Sequence, residues 1–187
     1  MKMSDRIGLS RAAMLAVALC LMPGLSAGRE AGDSPEVARA AEIVRAADFE
    51  YEDINPQSAT HGQRLKLDRL SGDGGLVLNF LASWCPPCWA EVEDLMHVSG
   101  AVDVPVVCIA ADEHGPPDDL LRLAGEAGLT LPLLLVPKER IDWMTERYDH
   151  AMLPATYVID ESQQIREVLL GRVRRPQLLE ALKRVGD

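Results

Sequence analysis

Positive charge is scarce in this chain: 19 Lys and Arg stand against 29 Asp and Glu, a formal net charge of −10. DNA, RNA and anionic membrane surfaces each require a basic face, so nucleic acid is excluded as an expected partner. Cysteine is sparse as well. Four in 187 residues are too few to staple a miniprotein through disulfides. Glycine and proline, 14 and 12 residues, lack the density and period of collagen. Heptads are missing, which removes the coiled coil, and an apolar content of 48% removes wholesale disorder. There is no internal repeat and no low-complexity tract. The length suits one domain with a short appendage. What remains is an acidic α/β or α+β domain.

The first 27 residues read as an address. Lys2, Arg6 and Arg11 make a basic start, residues 12–21 are free of charge, and Pro23 to Ala27 end in small residues. This is the layout of a bacterial-type secretory signal cleaved after Ala27. The apolar run is shorter than the roughly 20 residues of a membrane span, and an uncleaved N-terminal anchor is the alternative. Leu19 before Cys20 argues against lipid attachment there. The expectation is an exported, periplasmic-type location, where thiols meet an oxidising environment.

Residues 28–46 read as an N-terminal extension, with a short helical pattern from Asp33 and Ser34 through Val37, Ala41 and Val44. Two strands are predicted over 49–54 and 63–67, and a buried one over 76–82. A helix over 85–98, a buried strand over 104–110 and a helix from Pro117 to Gly128 follow. Then come a short strand at 131–136, a helix at 139–148, a hairpin of 156–159 with 165–170, and a last helix from Arg175. Strands alternating with helices and ending in a hairpin predict a mixed sheet covered on both faces.

The chemistry concentrates at Trp84-Cys85-Pro86-Pro87-Cys88. Two cysteines three apart at a helix start are near enough to close a small disulfide ring. The helix N-terminus, with its orphan N–H groups, favours a thiolate on the first. Cys85 is therefore the attacking sulfur and Cys88 the buried resolving one. Pro86 and Pro87 suit a helix's first turn, where a missing N–H costs nothing. A zinc site needs two further ligands, but there is no second cysteine pair, and His61, His97, His114 and His150 are scattered. The redox reading leads.

The run Val77-Leu78-Asn79-Phe80-Leu81-Ala82-Ser83-Trp84-Cys85-Pro86-Pro87-Cys88 resembles the active-site segment of thioredoxin-fold proteins. More narrowly, it resembles the exported TlpA/ResA-type thiol–disulfide oxidoreductases. A second segment, Leu153-Pro154-Ala155-Thr156-Tyr157-Val158-Ile159-Asp160, resembles that family's cis-proline strand, and the stretch from Phe49 its opening. The resemblance covers about residues 47–185 and implies a thioredoxin-like domain over 47–187. It implies Cys85 as nucleophile, Cys88 as resolving thiol, and Pro154 in cis shaping a substrate groove with Leu153, Trp84 and Pro86. Glu91 matches the family's proton acceptor; its i+3 spacing independently puts it on the side of Cys88. The plain alternative for Glu91 is a solvated glutamate, since Glu93 shows the helix is acidic anyway. Asn79 stands where classical thioredoxins carry a buried acid. No cofactor or metal is implied beyond the Cys85–Cys88 disulfide. The partners implied are protein disulfides, apocytochrome c among them, and a membrane thiol relay that supplies electrons.

Three departures stand out. The family's proline soon after the glutamate is absent, so Val92-Glu93 should continue the helix without a break. Met152 replaces a glycine before the cis-proline. Trp89 follows Cys88 where a basic residue is usual, either as core or as part of a partner-facing patch. Cys108, in a buried run, reads as an inert core thiol. Two rivals lose ground on spacing: a peroxidatic cysteine needs Thr or Ser where Ala82 stands, and copper delivery needs one more residue between the cysteines. A non-catalytic binding or chaperone module on the same fold, and a disulfide oxidant or isomerase, remain as alternatives.

Overall fold

The computed structural model describes residues 36–38, 44–71, 74–112, 117–148 and 152–186. In chain order these form β1 (Glu36–Ala38), β2 (Val44–Arg45), β3 (Glu50–Glu52), β4 (Arg64–Lys66) and α1 (Leu67–Leu70). Next come β5 (Leu76–Leu81), α2 (Pro86–Ala90), α3 (Val92–Ser99), β6 (Val106–Ala110), α4 (Pro117–Glu126) and β7 (Leu133–Leu135). A 3₁₀ turn (Lys138–Arg140) leads into α5 (Ile141–Tyr148), and β8 (Ala155–Ile159), β9 (Gln164–Leu170) and α6 (Arg175–Gly186) complete the chain. The secretory-type segment 1–27 lies outside the described residues.

The sheet runs β1-β9-β8-β5-β6-β7, with β2 also paired to β9. β5, β6 and β7 are parallel, while β8 and β9 return antiparallel beside β5. This is the mixed α/β sheet of a thioredoxin-like fold. Every residue of β5 and β6 is buried, because helices cover both faces and leave no polar side for alternation to show. The two faces are nonetheless distinct by pleat. Leu76, Leu78 and Phe80 join one cluster with Met144, Tyr148 and Tyr157. Val77 and Leu81 join the other, with Cys88, Leu95, Leu120 and Leu178. Asn79 points to this second face by the period of two.

The predicted N-terminal helix is not what forms. Its described residues are strands: Glu36–Ala38 pair with Leu170–Val168, and Val44–Arg45 with Ile165–Gln164. β9 would otherwise be an open edge, and covering it outweighs a weak helical pattern. The helix predicted over 85–98 also breaks, at Glu91, which has φ −97° and ψ −8° and serves both as C-cap of α2 and N-cap of α3. The other predicted elements form within a few residues of their expected ends.

Candidate active site: a disulfide above a buried carboxyl

β5 ends at Leu81, and the chain turns through 82–84 into α2. Two contacts fix this turn. Ser83 N–H donates to Asp112 Oδ2 at 2.7 Å, and Trp89 Nε1–H donates back to the Ala82 carbonyl at 3.1 Å. Trp89 is thus a half-buried strut rather than part of a partner-facing patch. Cys85 is the N-cap of α2, with prolines in its first turn, the positions where a missing N–H is free.

Cys85 and Cys88 are joined as a disulfide with Cα atoms 5.4 Å apart. Cys88 is wholly buried and Cys85 is 3% exposed, so an incoming sulfur meets Cys85 first. Trp84 and Met152 are each 55% exposed, and Pro86 and Pro87, close to Trp84 in sequence, are exposed as well. The Leu153–Pro154 peptide is cis. Ala155 pairs with Phe80 across β5 and β8, so Pro154 sits at the end of the sheet from which the cysteine turn leaves. Trp84, Met152 and Pro154 therefore share the disulfide's end of the molecule.

Beneath the pair lies Glu91, with no exposed surface; the solvated-glutamate alternative does not hold. The break between α2 and α3 aims this side chain inward. Its Oε1 accepts from Asn79 Nδ2 at 2.6 Å and its Oε2 from the Val173 N–H at 2.7 Å. Asn79 Nδ2 also donates to Thr156 Oγ1 at 3.0 Å. Burial raises the Glu91 carboxyl from the ordinary 4.5 to about 7; the two hydrogen bonds and Arg172 pull against that rise, while Asp94 adds to it. Asn79 lies between Cys108 and Thr156 in register across β6, β5 and β8. Cys108 is a free, buried thiol. Desolvation first, then the charge of Glu91, drives its ionisation far upward, so it is inert as a nucleophile.

Of the residues singled out in the sequence, Cys85, Cys88 and Glu91 lie within one turn and the break that follows it. Thr156, Arg172 and Val173 join them from more than 60 residues away; Thr156 lies in the cis-proline segment, but nothing in the sequence marks Arg172 or Val173. His61 and His97 are exposed, and His114 and His150 lie outside the described residues. Among the described residues there is no group of three or more His, Cys, Asp or Glu side chains able to hold a metal ion.

Known proteins resemble this chain in sequence and fold. The ResA thiol–disulfide oxidoreductase of Geobacillus kaustophilus is 27% identical over 113 residues, covering 58% of this chain. This chain spans 63% of that relative's length. A thio-disulfide isomerase from Thermus thermophilus superposes with a TM-score of 0.62 at 26% identity, covering 77% of this chain and 96% of that one. The thioredoxin domain of a thiol–disulfide oxidoreductase from Bacteroides vulgatus gives a TM-score of 0.64 at 16% identity, covering 77% and 96%. The AhpC/TSA family matches residues 44–168, a span that contains the cysteine pair, the buried carboxyl and the cis-proline, and the chain belongs to that family, on its ResA-like, thioredoxin-fold side.

Proposed function

We propose that the protein is a thiol–disulfide oxidoreductase that reduces protein disulfides in an exported compartment. The observation that carries this reading is the barely exposed Cys85 joined to a fully buried Cys88, followed one helical turn later by the buried carboxyl of Glu91, which burial raises to about 7. In the reductive direction the Cys85 thiolate attacks a substrate disulfide. One substrate sulfur leaves, and Cys85 is held in a mixed disulfide. Glu91 takes the proton of Cys88, whose thiolate then attacks Cys85. The second substrate sulfur leaves as a thiolate, takes up a proton, and the Cys85–Cys88 bond closes. Two electrons pass to the substrate. The exposed Trp84, Pro86 and Met152 and the half-buried Leu153 supply an apolar surface for an extended peptide bearing the target cystine.

The export-signal layout of residues 1–27 and the resemblance to exported oxidoreductases support the location. Among the described residues no helix is long and apolar enough to cross a membrane; the N-terminal segment supplies any tether. Turnover in an oxidising compartment requires electrons from a membrane thiol relay, and apocytochrome c is the substrate the resemblance favours. The Thermus thermophilus likeness favours a second reading, isomerase or oxidant, through the same sulfurs.

The deciding experiment is Cys88→Ser in the native compartment. Mixed disulfides through Cys85 should accumulate, and their partners, identified by mass, define the substrate class. An absence of trapped species would count against exchange chemistry. Direction is read from the reduction potential: near about −270 mV the pair is a reductant, near about −120 mV an oxidant.

A further inference from the structure

Two buried polar atoms near Glu91 have no hydrogen-bond partner among the described residues: Asn79 Oδ1 and Arg172 Nε. Arg172 lies in the turn between β9 and α6. Its Nη2 donates to the Ala90 carbonyl at 2.8 Å, and the N–H of the next residue, Val173, donates to Glu91 Oε2 at 2.7 Å. Two successive residues of this turn are therefore fastened to two successive residues at the break between α2 and α3. The guanidinium is thereby tied to the residue next to Glu91, and its Nε–H is buried with no acceptor among the described residues. A buried donor left without an acceptor is costly, the more so on a charged group, and such an atom calls for a reason.

The other groups facing Glu91 do not supply a positive charge. Asp94 on α3 is acidic, and its Oδ1 accepts from the Arg175 N–H at 3.1 Å. Cys108 on β6 is a neutral thiol, and Cys88 on α2 is in the disulfide. Asn79 and Thr156 are uncharged. Among the described residues Arg172 is the cation acting on the carboxyl; after burial, which opposes ionisation, and the Val173 and Asn79 hydrogen bonds, it favours the ionised form.

We propose that Arg172 is a positioning residue for the proton on Glu91. Its guanidinium is the counter-charge that lets the buried carboxyl ionise at the moment Cys88 must lose a proton, and its unused Nε–H is the donor kept for that carboxylate. The proposal rests on Glu91 acting as the base described above.

The test compares wild type with Arg172→Gln, which removes the charge, and Arg172→Lys, which keeps it without the fork. The Glu91 carboxyl is titrated by carbon NMR in the oxidised protein. Arg172→Gln should raise its midpoint by about one pH unit, as expected for loss of an opposite charge nearby, and Arg172→Lys should bring it back towards wild type. A coincident midpoint in wild type and Arg172→Gln overturns the proposal. If Arg172→Gln does not fold, Arg172→Met keeps the apolar stem and carries the same comparison. A second reading follows the rate at which Cys88 resolves a preformed mixed disulfide of Cys85 with a small thiol, against pH. In Arg172→Gln this profile should move upward with the carboxyl; a profile unmoved while the midpoint shifts overturns the link to Cys88. Should Glu91→Gln leave the wild-type profile unchanged, the base assignment itself falls, independently of what Arg172 does to the titration.

Discussion

At the scale of single residues, Glu91 carries the most unusual energetics of the site. A carboxyl with no exposed surface is normally paired or neutral. Here it accepts two N–H donors, yet burial still raises it to about 7. A raised acid binds its proton more tightly in the folded chain than in the unfolded one. Its favourable contribution is therefore complete below about pH 4.5 and is lost as the pH rises through 7. The loss across that window is on the order of 3 kcal/mol. Glu91→Gln cannot titrate, so urea unfolding of the oxidised protein should show wild type weakening from pH 4.5 to 7 relative to the variant. Parallel profiles would mean that the buried carboxyl is not protonated in this range.

At the scale of elements, β5 positions the whole site, and the turn that starts it tolerates little. Gly75 has φ +84°, and a Cβ there would lie 2.2 Å from the Ile159 carbonyl oxygen at the end of β8. Gly75→Ala forces both a left-handed alanine and a backbone collision, so β5 and β8 must separate at that end. Gly128, at φ +65°, has open space around it. Gly128→Ala meets only the conformational penalty, about 1 kcal/mol. Chemical denaturation should show Gly75→Ala as the more damaging by about 2 kcal/mol or more. Equal losses would mean that the strand end yields without cost. The break at Glu91 belongs to this scale too: an uninterrupted helix over 85–98 would not deliver its carboxyl to both Asn79 and Val173.

At the scale of the molecule, the described strands before Phe49, Glu36–Ala38 and Val44–Arg45, are part of the sheet rather than a detachable extension. β1 and β2 cover the outer side of β9, and Ala46, nearly buried, donates its N–H to the Gln163 carbonyl at 2.8 Å. A fragment beginning at Asp48 should lose these contacts and expose β9. Compared with one beginning at Gly28, it should unfold a few kcal/mol more easily and associate with increasing concentration on sizing columns. If both fragments stay equally stable and monomeric, the N-terminal pairing is dispensable.

The letters alone determined a good deal. Buried strands at 76–82 and 104–110, the closing hairpin and the last helix were legible because apolar runs and turn residues act locally. Cys85 and Cys88 were legible because their chemistry lies in adjacent turns, and Pro154 because its segment resembles a known one. What the letters left open depended on residues far apart in the chain. Whether Glu91 was solvated or buried turned on a helix break with no proline to announce it, and on Val173, 82 residues downstream. The partners Thr156 and Arg172 are ordinary residue types whose role comes from register and from the turn after β9. The N-terminal helix failed for the same reason: a weak local preference yielded to the unpaired edge of a strand more than 100 residues away. Strong local pattern fixes most of the elements that form; only the packed sheet decides where a weak preference yields and which side chain is left without water.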